Sequence, residues 1–200
     1  QTLGNRWKAA AQFRASTQAD ASYPEPYKAL GDLFLSQPRR LFDQAIADFS
    51  SARGLDFVTT DGLGTALADI PAPWAGRAGE RALEIRYDPQ HPPAVQVVEP
   101  HGDWRAFRVI AVDMTNAGPS ELSLVFRILD VTHDWSHEDR FNLPLVIPPR
   151  TRTTVRVALP LVEAAPATRR MDMARIANVM IFGRSPATPG ALYVSRIWLE

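Results

Sequence analysis

Between Asp130 and Asn142 the chain reads DVTHDWSHEDRFN, thirteen residues that hold two of the four histidines, four acids, an arginine and a tryptophan. His133 and His137 are four apart, the spacing that sets two imidazoles on one helical face for zinc, with Asp130, Asp134 or Asp139 to complete the shell. The stretch lies between two strand patterns and has no HExxH order, and a loop holds no such register, so no metal site is expected here. Asp130, Asp134, Glu138 and Asp139 would also supply the paired carboxylates of glycoside hydrolysis, as any acidic loop would. Trp135 sits mid-loop and has two open readings. One is stacking on a sugar ring while its neighbours bond hydroxyls; the other is folding back to cover the edge of the domain. If there is a ligand, Trp135, Asp134, His137 and Arg140 combine a stacking face with donors and acceptors of both signs. Trp74, in IPAPWAG, is a further candidate, whereas Trp104 and Trp198 read as structural. No catalytic residue is assigned.

Other chemistries find no footing. There is no GxSxG elbow, no GxGxxG, no Walker-type phosphate loop and no HExxH. Gly62-Leu63-Gly64 follows Asp61 in what reads as a hairpin turn, with no helix after it to offer an anion-binding terminus. Lysine and arginine total 22 against 22 aspartates and glutamates, so there is no overall basic field to hold a phosphate backbone, and nucleic acid is not an expected partner. The lack of cysteine removes disulfides, thiolate ligands and cysteine nucleophiles. No cofactor is expected. No run approaches the roughly 18 apolar residues of a membrane span, so this fragment is expected to make no membrane contact itself. It opens at Gln1 rather than methionine, which leaves room for an anchor upstream.

The elements that must position these residues change character along the chain. Residues 1–45 read as a helical extension. WKAAAQF (Trp7 to Phe13) favours helix, Pro24, Pro26 and Pro38 divide the rest of the extension, and Leu41, Phe42, Ala45 and Ile46 fall on one helical stripe. From 46 to 200 the period is two, in short runs separated by Gly, Pro, Asn and Asp, the pattern of an all-β domain. Leu122, Leu124, Phe126 and Ile128 face one way and Ser123 and Arg127 the other. Phe141, Leu143, Leu145 and Ile147 repeat this, as do Val155, Val157 and Leu159, and Leu83, Ile85 and Tyr87. Phe107 to Val112 and Val179 to Phe182 are apolar on both parities, as central strands are. Asp61-Gly62, Asn116 to Pro119, Pro148-Pro149 and Pro189-Gly190 mark turns, and Asp172 to Ala177 reads as one capped helical turn. The expectation is an antiparallel jelly-roll β-sandwich of about nine strands.

Asp48-Phe49-Ser50, then RALEIRYD (Arg81 to Asp88), then Asp103-Trp104-Arg105-Ala106-Phe107, then the closing Tyr193-Val194-Ser195-Arg196-Ile197-Trp198-Leu199 succeed one another in an order that resembles the galactose-binding-like jelly rolls. These include many carbohydrate-binding modules and the accessory domains of agarases. HEDRFN (His137 to Asn142), APATRRMDMARI (Ala165 to Ile176) and NVMIF (Asn178 to Phe182) are similar to an extracytoplasmic domain attached to VanZ-like membrane segments in bacteria. The resemblance implies a non-catalytic binding module for a glycan or cell-envelope polymer, carried by a membrane-anchored protein on the periplasmic or extracellular side. The alternative is a protein-interaction or structural domain with no small-molecule ligand, and a hydrolase using the acidic loop is a third reading. Relatives commonly hold a structural calcium with acids on the opening and closing strands. Here Ser50 and Ser195 take those places, so calcium is not expected unless Asp48, Asp56 or Asp113 compensates.

Overall fold

Runs such as Ala94–Val98, buried at every second residue, hide one face of a pleated strand and need a second sheet to cover it. The computed structural model describes residues 15–16, 19, 22, 24–26, 28, 45–50, 55, 58–98, 100, 103–184 and 186–200. Among them eleven strands form two antiparallel sheets: β1 (Ala45–Asp48), β2 (Val58–Asp61), β3 (Gly64–Asp69), β4 (Arg81–Tyr87), β5 (Ala94–Val98), β6 (Val109–Asn116), β7 (Leu122–Asp130), β8 (Phe141–Ile147), β9 (Thr151–Ala158), β10 (Ile176–Gly183) and β11 (Gly190–Leu199). A six-stranded sheet runs β3-β4-β11-β6-β9, with β1 also paired to β11; a five-stranded sheet runs β2-β5-β10-β7-β8. The chain is thus an all-β sandwich, as its period of two requires. Only β3–β4 and β7–β8 are consecutive strands paired in one sheet, and every other connection crosses between sheets.

The alternation read from the sequence decides the core. Leu83, Ile85, Val112, Met114, Leu192, Val194 and Ile197 of one sheet face Val95, Val97, Leu124, Phe126, Ile128, Val179 and Ile181 of the other, and all are buried. Phe126 and Phe141 meet edge to face with centroids 6.3 Å apart. Trp104 is buried, with its amide bonded to the Met173 carbonyl at 2.8 Å. At one end Asn116, also buried, ties three turns together. Its Nδ2 donates to the carbonyls of Ser120, Ile147 and Pro148, and its Oδ1 accepts from the Gly118 amide and the Tyr87 hydroxyl. The Tyr87 hydroxyl lies so close to Gly118 that a Cβ there would stand 2.3 Å from it.

Several local expectations are corrected. Ala45 and Ile46 belong to strand β1, not to a helical stripe, because the edge of β11 offers this segment backbone partners, Trp198 for Ala45 and Ile197 for Ala47, that a lone amphipathic turn lacks. Asp61-Gly62 is no hairpin: β2 pairs with β5 and β3 with β4, so the turn carries the chain between sheets. Gly62 is needed there, since its φ is 143° and a Cβ would meet the Arg86 carbonyl at 2.6 Å. Leu159 opens a short helix, Leu159–Glu163, with Pro160 in its first turn, rather than ending strand β9. Asp172 caps a single turn through the amide of Ala174, the turn is closed by the Arg175 amide on the Asp172 carbonyl at 3.0 Å, and residue 176 is already strand. The strand count exceeds nine because β1, β2 and β3 are short and carry little apolar alternation. Of the extension, residues 15–16, 19, 24–26 and 28 are helical; Trp7 to Phe13, Leu41 and Phe42 lie outside the described residues.

Candidate functional site

Two carboxylates of the 130–142 loop converge on one arginine. Arg169 grips Asp130 with two nitrogens, at 2.6 and 2.9 Å, and reaches Asp139 with Nε at 2.5 Å. Asp130 is fully buried and also accepts from the amides of Asp172 and Thr132 and from the Thr132 hydroxyl. Burial works against its ionisation, but Arg169 and the Asp172 amide outweigh this and hold the carboxyl below the usual range. At Asp139 the Arg169 hydrogen bond is the leading cause of a downward shift, helped by the Asp134 amide. These acids brace the loop. They are engaged with a cation from a distant segment, in the way that structural carboxylates are.

The braced loop presents Trp135 to solvent. The residue is 71% exposed, and its backbone sits at φ 69°, a left-handed conformation unusual for a bulky residue. His133 stands edge-on to the ring with centroids 4.3 Å apart. The His133 Nδ1 lies 2.6 Å from the Asp130 carbonyl, which only accepts, so that nitrogen carries the proton; Nε2 is buried without a hydrogen-bond partner. Asp134 and His137 are exposed, and the Asp134 carboxylate accepts from the Ser136 amide. Arg140 is half-buried where the loop rejoins β8.

Trp74 is placed elsewhere. The segment between β3 and β4 crosses the outer face of the six-stranded sheet, so that the Trp74 indole donates to the Arg150 carbonyl at 2.9 Å and Arg152 donates to the Trp74 carbonyl at 2.7 Å. Arg152 bridges Glu80 at 2.6 Å and Asp113 at 2.5 Å, and its hydrogen bonds lower Glu80 against the effect of burial. Trp74 packs with Ile70, Ala82 and Tyr193. It roofs one sheet, while Trp135 stands on a loop of the other. The residues expected for calcium fit it poorly. β1 and β11 do pair, with the Phe49 amide bonded to the Ser195 carbonyl at 3.1 Å. Ser50 and Ser195 are neutral, however, and Asp113 is tied to Arg152, which is not the carboxylate-rich shell calcium takes. Asp56 lies outside the described residues.

The outer face of the five-stranded sheet carries a further arrangement. Register sets Thr59, Gln96, Met180, Arg127 and Asn142 in one row across all five strands. The rows beside it hold Val98, Asn178 and Leu129 on one side and Asp61, Ala94, Phe182, Val125 and Pro144 on the other. A shallow open groove runs along β2, β5 and β10, lined by Thr59, Thr60, Asp61, Ala94, Gln96, Met180 and Phe182. Polar side chains of the face around it are held in place: Gln96 donates to Asn178 at 2.7 Å, Arg127 donates through Nε to Asn142 at 2.8 Å, and the Arg127 guanidinium lies 4.7 Å over the Phe182 ring. Burial, and then the charge of Arg140, depress the Arg127 guanidinium below its ordinary value. Each amide keeps a spare donor or acceptor, and Arg127 keeps both Nη groups. Of the residues singled out from sequence, the fold brings Arg140 to this face and Trp135 to the loop at its end. Gln96, Asn178, Asn142 and Phe182 were not singled out. The signal present was an amide at outward parity on a central strand, masked in NVMIF by apolar residues on both parities.

No family model matches the chain, and no curated protein sequence matches it. Solved structures share its fold. An exo-β-agarase superposes with a TM-score of 0.59 at 12% identity, covering 78% of this chain and 24% of that one. Another agarase gives 0.52 at 15% identity, with 78% and 24% covered. A family 11 carbohydrate-binding module of a cellulosomal cellulase of Clostridium thermocellum gives 0.50 at 14% identity, with 80% and 94% covered. The chain therefore spans about a quarter of these agarases and nearly the whole of that module. Likeness at such identities shows the β-sandwich fold.

Proposed function

We propose that this sandwich is a non-catalytic module that binds a glycan across the outer face of its five-stranded sheet. The carrying observation is that the face around the groove bears amides and a guanidinium already fixed by one another, with donors and acceptors left over. Sugar hydroxyls need paired donors and acceptors, and groups ordered before binding lose little entropy when they engage. Phe182 and Met180 supply apolar floor for the faces of the rings, and Trp135 offers a stacking surface at the end of the same sheet. The extent of the match to a carbohydrate-binding module supports the reading. So does the engagement of Asp130 and Asp139 with Arg169, since hydrolytic carboxylates must be free to exchange protons. The resemblance to VanZ-linked domains favours a cell-envelope polymer met on the outer side of a bacterial membrane.

The test is affinity-gel retardation against a panel of neutral and acidic polysaccharides. At least one should retard the protein, and a double Gln96→Ala, Asn178→Ala variant should migrate freely in the same gel. A panel with no retarding member would defeat the reading. A second reading, a protein-interaction domain anchored on Trp135, is favoured by the exposure of that ring. It predicts binding of a protein partner that Trp135→Ala removes and the groove variant leaves intact.

A further inference from the structure

Four arginines among the described residues are half-buried: Arg127, Arg140, Arg152 and Arg169. Arg152 bridges Glu80 and Asp113, and Arg169 bridges Asp130 and Asp139. Two carboxylates for one enclosed guanidinium is what the cost of desolvating a cation leads one to expect. Arg127 and Arg140 depart from this pattern, for neither forms an ion pair with any described residue. Arg127 has Asn142 and the Phe182 ring, both neutral, and Arg140 has an enclosed Nε with no hydrogen-bond partner. They are also neighbours, Arg127 pairing across the ladder with Asn142, two residues beyond Arg140. Two adjacent cations, both drawn from water, repel one another, and no described acid pairs with either to offset it.

Asp61, a described charge lining the groove on this face, does not relieve them. It stands on β2, three strands from Arg127 in the order β2-β5-β10-β7-β8, roughly 14 Å at the usual strand spacing and beyond the range of effective pairing in physiological salt.

We infer that the ligand of this sheet face is an acidic glycan, whose carboxylate or sulfate substituents sit between Arg127 and Arg140, beside the groove. This rests on the glycan-binding reading above and specifies its ligand. A guanidinium matches a planar carboxylate or a sulfate with two parallel N–H donors, and Arg127, fixed by Asn142 and Phe182, presents its free fork without reordering. A nucleic-acid strand is disfavoured because its phosphates recur along the chain and call for a track of cations, whereas this face offers a pair beside neutral amides suited to hydroxyls.

The experiment is calorimetric titration with matched probes. An oligogalacturonate is compared with its methyl ester, a sulfated oligosaccharide with its desulfated form, and a single-stranded oligonucleotide serves as a polyanion without sugar-ring recognition. The charged member of at least one glycan pair should bind tenfold or more tighter than its neutral partner at low salt, with the gap shrinking as salt is raised. Arg127→Gln and Arg140→Gln should each reduce that preference several-fold, and the pair that responds tells carboxylate from sulfate. In the unaltered protein the Nε signals of both arginines should shift in NMR spectra on adding the charged glycan, a readout that stands even if a variant folds poorly. Equal binding of charged and neutral members overturns the acidic-ligand inference and keeps the glycan module. Oligonucleotide binding through these arginines with no glycan bound overturns both, as does the absence of binding by any probe.

Discussion

Arg169 shows how a residue outside the obvious stretch can decide what that stretch is. Asp130 is enclosed with its charge matched by this guanidinium, so Arg169→Ala leaves a buried carboxylate uncompensated and should cost about 3 to 5 kcal/mol in chemical denaturation. The carboxyls of Asp130 and Asp139 are held below their ordinary value. Their contribution is therefore whole above the unfolded value of about 4 and drains away as the pH falls through the lower folded value. The stability gap between the variant and the parent should narrow below pH 4; a gap constant down to pH 2 would contradict the assignment. Trp135 permits a cleaner comparison. At φ 69° a side chain of any size is strained and glycine is not, so Trp135→Gly should be more stable than Trp135→Ala by about 1 kcal/mol, although both lose the ring. Equal stabilities would show that the left-handed backbone carries no strain. The sequence put Trp135, Asp134, His137 and Arg140 in one candidate stretch. It held no sign of Arg169, thirty residues beyond Asp139, because long-range ion pairs leave no local pattern.

Among the elements, strands with one wet face were the legible ones. In β7 the inward residues Leu122, Leu124, Phe126 and Ile128 are all essentially inaccessible, as their alternation requires. Phe126→Ala and Ile128→Ala should each lower stability by roughly 2 to 5 kcal/mol, the usual cost of a large-to-small change in a packed core; losses under 1 kcal/mol at both would contradict the packing. Where the period failed, so did the reading. β10 lies between β5 and β7, and its outward Asn178, Met180 and Phe182 alternate with inward Val179 and Ile181, yet an aromatic and a thioether at outward positions erase the contrast that marks a face. The groove was invisible for that reason. Asp61-Gly62 carried a true turn signal whose partner strands no local rule could name, since a turn fixes reversal and not the sheet on either side.

For the molecule as a whole, the sandwich class followed from composition and period, while its connectivity did not. The pairing of β1 with β11 brings the opening and closing strands together with serines where a calcium shell would need acids. Thermal unfolding is accordingly expected to be the same in millimolar calcium and in excess EDTA, and a chelator-induced fall of more than about 5 °C, reversed by calcium, would show an ion site formed by other ligands.

That arrangement also sets a timetable. β11, the last ten-residue strand of the chain, lies inside its sheet, with β4 and β1 along one edge and β6 along the other. Until it leaves the ribosome, β4 and β6 have a gap between them and apolar inner faces with nothing to close on. Synthesis from the amino terminus therefore cannot assemble this sheet strand by strand, and this part of the nascent chain must remain open, and exposed to chaperones, until β11 has emerged. Contacts so distant in sequence also favour folding on a millisecond-to-second scale. Chains arrested on the ribosome should stay protease-sensitive while β11 is still within the exit tunnel and become resistant in one step once a linker carries it clear; gradual protection from earlier arrest points would show that the sheet closes without its last strand.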